Sequence, residues 1–323
     1  MTSARIIGTG SYLPERVVTN HELEQLVETS DSWIRERTGI RERRLVGDDQ
    51  SCGDLGRIAA QRALEAAGCR GEEVDLIVVA TCTPDRIFPS TASALQHSLG
   101  LRPGGAAFDV SAACSGFIYA LSVADRFIRT GGASRALVVG AETMSRIIDW
   151  EDRGTCVLFG DGAGAVVLEA GEQPGVLSTH LHSDGRHEPL LYVPWGPGQG
   201  YAALESQGGY IRMRGNEVFK VAVNTLTRIV EDTLASAGVD KSQVDWLVPH
   251  QANIRIIQAT AKKLDLAMDR VVVTVGEHGN TSAASIPIAL DTAVRDGRIQ
   301  RGELLMLEAF GGGFTWGSAL VRY

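Results

Sequence analysis

The chain is written twice. Leu64-Glu65-Ala66-Ala67-Gly68, followed by Val74-Asp75-Leu76-Ile77-Val78-Val79, matches Leu234-Ala235-Ser236-Ala237-Gly238, followed by Val244-Asp245-Trp246-Leu247-Val248-Pro249, at a constant offset of 170 positions. Both copies read as a helix closed by a glycine cap, a polar loop and a buried strand. Ile118-Tyr119-Ala120-Leu121 echoes Pro287-Ile288-Ala289-Leu290, and Arg135–Gly140 echoes Glu303–Glu308. Gly160–Leu168 likewise parallels Gly311–Leu320. A repeat this long implies two similar α/β halves rather than a solenoid of short units. The seam falls around Gly171–Gly175, which divides the chain into residues 1–173 and 174–323. Apolar strands alternate with amphipathic helical stretches at 55–67, 115–129, 217–236 and 252–264. That order predicts layered α/β architecture with mostly parallel sheets, each half closed by an antiparallel hairpin. Two facing halves leave a cleft between them, where sites commonly form. Segments 29–50 and 183–212 interrupt the repeat and are candidates for substrate contact.

Composition narrows the class of protein. Of 323 residues, 37 are Gly and 10 Pro, a balance that suits tight strand–helix turns rather than disorder. No stretch approaches the ~18 apolar residues of a membrane span, and no signal peptide is evident at the start. A net charge of −8 argues against nonspecific nucleic-acid binding. The five cysteines (52, 69, 82, 114 and 156) are scattered and lack a C-x-x-C pair. That pattern disfavours a disulfide framework or structural zinc and fits a reducing, cytoplasmic setting. His180-x-His182 with His187 has metal-like spacing but no acidic or cysteine ligand beside it, so a structural reading is preferred and no metal is expected. Neither Gly160–Gly164 nor Gly8-Thr9-Gly10 has nucleotide-loop spacing.

Three polar residues carry the candidate chemistry. Cys114, in Asp109–Phe117, falls where an apolar run gives way to a helical one. A thiol at a helix N-terminus has a lowered pKa and is a candidate nucleophile; the plain alternative is a small buried core residue. His250 ends the strand Val244–Pro249, and its partner in the repeat is Ala80, so the framework itself does not require an imidazole. Asn280, in Glu277–Ser285, occupies the second-half counterpart of the Cys114 turn, where Gly-Asn can also be simple turn chemistry. The duplication allows thiol, imidazole and carboxamide to converge. Gly311-Gly312-Gly313 offers either a tight hairpin or backbone N–H donors to a ligand. Arg255, Lys262 and Lys263, with Lys220, Arg212 and Arg214, form a basic strip that is either solvated surface or a landing site for an acidic carrier protein.

Long strings then point to a family. Gly8–Pro14, Thr29-Ser30-Asp31-x-Trp33, Arg37–Arg43, Trp246–Asn253, Gly279–Ser285 and Leu307–Gly317 together resemble the thiolase-fold condensing enzymes. The similarity runs over essentially the whole chain and is closest to the β-ketoacyl-acyl-carrier-protein synthase III family. It implies a duplicated thiolase-like fold in α-β-α-β-α layers and a Cys-His-Asn triad of Cys114, His250 and Asn280. The implied reaction is a ping-pong decarboxylative condensation of a short acyl-CoA, acetyl-CoA in particular, with malonyl-acyl-carrier protein. This reaction initiates type II fatty-acid synthesis and uses no metal or redox cofactor.

The resemblance extends to contact residues. It implies an oxyanion hole from the Cys114 and Gly312 amides. It also implies a CoA channel in which Trp33 and Arg153 sandwich adenine, Thr29 and Arg37 contact the nucleotide, and Gly215, Ala252 and Asn253 line the pantetheine arm. Arg255, with Lys220, Lys262 and Lys263, resembles the carrier-protein contact. Phe88, from the neighbouring subunit of a homodimer, and Phe310 resemble the acyl-pocket wall. A ring at 88 implies a small primer such as acetyl. Segment Arg186–Gln207 does not follow the family pattern, and Cys156 reads as core filler. Two other readings stay open: a related Cys-His-Asn enzyme with an alkylquinolone or polyketide starter role, and a condensation-silent acyl-binding subunit.

Overall fold

Leu76-Ile77-Val78-Val79-Ala80 is apolar throughout and buried on both faces, the signature of a strand in the middle of a covered sheet. A computed structural model describes residues 2–323 and places this strand inside a five-stranded sheet. Among the described residues, thirteen strands occur in chain order: β1 Ser3–Tyr12, β2 Arg16–Thr19, β3 Glu42–Leu45, β4 Leu76–Ala80, β5 Ala106–Val110, β6 Arg135–Thr143, β7 Asp161–Gly171, β8 Val176–Ser183, β9 Leu191–Tyr192, β10 Arg212–Met213, β11 Trp246–Pro249, β12 Leu304–Gly311 and β13 Thr315–Arg322. The first large sheet has the order β1-β7-β6-β4-β5, and the second β8-β13-β12-β11. All strands of the first precede residue 172, and all strands of the second follow residue 175.

The two sheets share one plan. β6 and β12 pair antiparallel with β7 and β13, and parallel with β4 and β11. β1 and β8 then add antiparallel at the far edge. The expected mostly parallel sheets are therefore mixed ones. Each closing hairpin recruits the first strand of its half as a second antiparallel neighbour. The second half also lacks a full counterpart to β5: Val271 makes only an isolated parallel bridge to Leu247.

Helices Gly116–Arg129 and Ser285–Arg295 run between the sheets and are buried on most sides. Phe117, Leu121, Ile286 and Leu290 join Val78, Val138, Leu305 and Leu307 in one core cluster. Helices Cys52–Ala67 and Thr91–Ser98 cover the outer face of the first sheet, and Gly215–Ala237 and Ile254–Leu264 that of the second. The result is five layers, α-β-α-β-α. The predicted glycine caps sit at Gly68 (φ 60°) and Gly238 (φ 64°), closing equivalent outer helices.

Each central helix starts with a one-turn 3-10 segment, Ala113–Ser115 in the first half and Ser282–Ala284 in the second. Both turns open on a non-glycine residue with left-handed backbone, Ala113 at φ 46° and Ser282 at φ 49°. Matching strain at matching positions marks these turns as places where geometry matters more than local comfort.

Candidate active site

Cys114 is the middle residue of the first 3-10 turn, just before helix Gly116–Arg129. The expected lowering of its pKa is corrected by the structure. Burial pushes the thiol up to about 12, partly opposed by the Ser282 hydroxyl beside it, while the Glu142 charge adds to the rise. Desolvation of a thiolate is the largest cause here. The resting group is a thiol. The turn is held from the other half: Thr315 Oγ1 donates to the Ala112 carbonyl at 2.9 Å and bonds Ser115 Oγ at 2.8 Å. Gly311 lies so close that a Cβ on it would stand 2.6 Å from the Cys114 nitrogen.

His250 follows the last residue of β11, and its N–H donates to the Glu308 carbonyl at 2.8 Å. Its ring is buried, and burial holds its pKa down to about 3, so the imidazole is neutral. Nδ1 lies 2.6 Å from Ser285 Oγ. Asn280 is pinned to the first half: its N–H donates to the Leu158 carbonyl at 2.8 Å, and its own carbonyl accepts from Gly160 N at 3.0 Å. The Ser282 N–H donates to Asn280 Oδ1 at 2.9 Å. That bond points the amide oxygen at the backbone and leaves the NH2 group for the cavity.

Cys114, His250 and Asn280 line one cavity of about 590 Å³. Trp33, Arg37, Gly215, Lys220, Ala252, Asn253, Arg255 and Phe310 line it as well. A thiol, a neutral imidazole and a carboxamide at one cavity supply a nucleophile and two uncharged hydrogen-bond donors. That set suits acyl transfer with oxyanion stabilisation.

Comparison with known proteins decides the family. Two family models match, described as 3-oxoacyl-[acyl-carrier-protein] synthase III (residues 108–185) and its C-terminal part (residues 234–323). A β-ketoacyl-[acyl-carrier-protein] synthase III from Alkalilimnicola ehrlichii is 70% identical over 323 residues, covering 100% of each chain. The chain belongs to the 3-oxoacyl-[acyl-carrier-protein] synthase III family. The crystal structure of the Aquifex aeolicus synthase III superposes with TM-score 0.93 at 49% identity, covering 99% of this chain and 100% of that one. The priming β-ketosynthase of the R1128 polyketide pathway also superposes with TM-score 0.93, at 38% identity, covering 99% of this chain and 96% of that one. The family member described here is accordingly a condensing acyltransferase with the thiolase-like fold.

In this synthase III chain, other residues named from sequence fall in different places. The Arg37 and Arg153 guanidinium carbons lie 5.0 and 4.9 Å from the Trp33 ring centroid. Arg153 also donates to the Glu28 carbonyl at 2.9 Å. Arg153 thus rests directly on Trp33, and a base held between them requires the guanidinium to swing aside. Thr29 does not line the cavity, and its buried Oγ1 has no hydrogen-bond partner among the described residues. Gly312 is not a lining residue either; it packs against Leu191, with Ala113 nearby. Lys262 and Lys263 lie on helix Ile254–Leu264 away from the cavity, and Lys263 Nζ pairs with Glu231 at 2.6 Å. Phe88 is 83% exposed and lies outside the cavity of its own chain. His180 and His182 stack on each other with ring centroids 6.4 Å apart, His182 also stacks on Trp316, and His187 stacks on Phe314.

Sequence reasoning missed three supporting residues. Glu142 is fully buried and accepts from Thr81 Oγ1, Cys82 N, Thr83 Oγ1 and Ser282 Oγ. Burial raises its pKa to about 7 against those bonds. Ser282 and Ser285 are the other two. The available signal was their place in the repeat, since Ser282 matches Ala113 and Ser285 matches Gly116.

Proposed function

We propose that the chain condenses acetyl-CoA with malonyl-acyl-carrier protein to give acetoacetyl-carrier protein, carbon dioxide and free CoA, the first carbon–carbon bond of type II fatty-acid synthesis. One observation carries this reading: Cys114, His250 and Asn280 come from separate elements of both halves yet line the same cavity. The Cys114 sulfur attacks the acetyl thioester carbon, and its proton leaves with the CoA sulfur. The backbone amides of Cys114 and Gly312 are assigned to the oxyanion of this step. Malonyl-carrier protein then takes the place of CoA. His250 Nε2–H and the Asn280 amide donate to its thioester oxygen, and loss of carbon dioxide leaves an enolate stabilised by those donors. The enolate carbon attacks the acetyl-Cys114 carbonyl, and the thiolate so released takes a proton from water. Each step is acyl transfer or decarboxylation helped by hydrogen-bond donors, so the reading includes no metal or redox cofactor.

The remaining assignments belong to the same proposal. Trp33, Arg37, Arg153 and Thr29 hold the nucleotide end of CoA, and Gly215, Ala252 and Asn253 its pantetheine arm. Arg255 and Lys220 at the cavity, with Lys262 and Lys263 further along, receive the acidic carrier protein. Exposed Phe88 closes the acyl pocket of a second copy in a cytoplasmic homodimer, opposite Phe310. The structural likeness to a priming polyketide ketosynthase supports a second reading with a different starter acid.

Intact-protein mass spectrometry tests both readings. Acetyl-CoA is expected to leave one acetyl group on the wild-type chain and none on Cys114→Ala. Asn280→Ala is expected to keep the adduct but lose malonyl-carrier-protein decarboxylation by about 10²-fold or more. Condensation that survives Asn280→Ala removes the donor role. A preference for aromatic or long acyl-CoAs in a primer panel selects the second reading.

A further inference from the structure

We propose that Ser285 is the positioning residue that sets the tautomer of His250, placing the ring proton on Nε2, where it serves the enolate. This rests on the reading that His250 donates a hydrogen bond in the condensation step.

The geometry leaves little choice. Ser285 Oγ lies 2.6 Å from His250 Nδ1 and accepts the Gln251 N–H at 3.3 Å. A hydroxyl carries one proton and two lone pairs. With Gln251 on one lone pair, the proton can point at Nδ1, which then accepts. The opposite arrangement, with Nδ1–H donating, leaves the serine proton without an acceptor among the described residues. Ser285 is buried, so an unsatisfied O–H there is costly. The first arrangement therefore wins. The ring itself is neutral because it is buried. A neutral ring accepting at Nδ1 carries its proton at Nε2, the nitrogen left for the cavity that His250 lines.

The duplication supplies an internal control. His250 corresponds to Ala80, and Ser285 to Gly116. In the first half the methyl of Ala80 sits where the imidazole would begin, and a Cβ on Gly116 would stand 3.1 Å from it. The half without the imidazole thus has no use for the hydroxyl and little room for its Cβ. The pair Ala–Gly in one half and His–Ser in the other changes as a unit. Ser282, three residues before Ser285, fixes the Asn280 amide in the same sense through its N–H, so one turn aims both donors.

The test uses full-length protein labelled with ¹⁵N-histidine, with the His250 resonance assigned from a His250→Ala sample. The wild-type ring is expected to show Nε2–H with an unprotonated Nδ1. Ser285→Ala, and Ser285→Gly, which installs the residue that the first half tolerates, are expected to shift the ring toward the Nδ1–H form. Condensation should fall roughly 10- to 100-fold in kcat, with little change in KM for malonyl-carrier protein. Acetylation of Cys114 should stay within about twofold, a separation that a general loss of structure would not produce. A wild-type ring protonated at Nδ1 overturns the proposal, as does an unchanged tautomer in a folded variant. Should both variants fail to fold, the wild-type spectrum alone decides. A wild-type protein that never acetylates Cys114 refutes the functional reading instead, and the spectrum then reports on Ser285 independently.

Discussion

Desolvation controls the charge state of the buried groups around the cavity. It raises Cys114 to about 12 and Glu142 to about 7, and lowers His250 to about 3. Each shift favours the neutral form, so the cavity presents a thiol and an uncharged imidazole. Glu308, on β12 beneath His250, follows the same rule: burial raises it to about 8, and the nearby Thr260 hydroxyl opposes this only in part. A carboxyl raised above its unfolded value of 4.5 binds more protons in the folded chain. Its contribution to stability is complete below pH 4.5 and disappears as pH climbs through 8. Glu308→Gln should therefore flatten the decline of the urea midpoint between pH 6 and pH 9 relative to wild type. An unchanged slope would mean that Glu308 is already ionised when folded. At this scale the sequence was informative about identity and silent about environment. Cys114, His250 and Asn280 stood out as residue types in familiar strings, whereas the sign of the thiol shift depended on burial that no local pattern encodes.

The working elements are the two 3-10 turns and the glycine hairpin that presses on one of them. Strain at Ala113 and Ser282 is held by contacts from the opposite half, through Thr315 on one side and Glu142 on the other. Gly311 contributes by having no side chain. In Gly311→Ala the new methyl would lie 2.6 Å from the Cys114 nitrogen and 3.1 Å from the Ala113 Cβ, so backbone must move. We expect Cys114 acetylation to slow by about 10²-fold and stability to fall by about 1–3 kcal/mol. Stopped-time mass spectrometry and thermal melts read the two effects, and wild-type behaviour in both would show that the hairpin yields freely. The helices and hairpins were legible because apolar periodicity and glycine caps are local signals. The mixed pairing of the sheets was not, since which neighbour an apolar strand takes is settled by partners far away in the chain.

Two sheets share a helical layer, and the cavity is lined in part by Arg255, itself 4.9 Å over the Phe219 ring. On a chain of net charge −8, Arg255 shares the cavity lining with two further cations, Arg37 and Lys220. Arg255→Glu is expected to raise KM for malonyl-carrier protein about tenfold or more while leaving acetyl-CoA kinetics within about twofold. Equal effects on both substrates would place the carrier protein elsewhere. The duplicated layout, the alternation of strands and helices and the family follow from the linear chain alone, because repeats, periodicity and long motifs are properties of residue order. Folding decided which groups lose water and which turn braces which. Asn280 hangs from Leu158 and Gly160, and the Cys114 turn from Thr315. Those contacts join residues more than a hundred positions apart, and their strength comes from exclusion of solvent, which exists only once both halves have closed on each other.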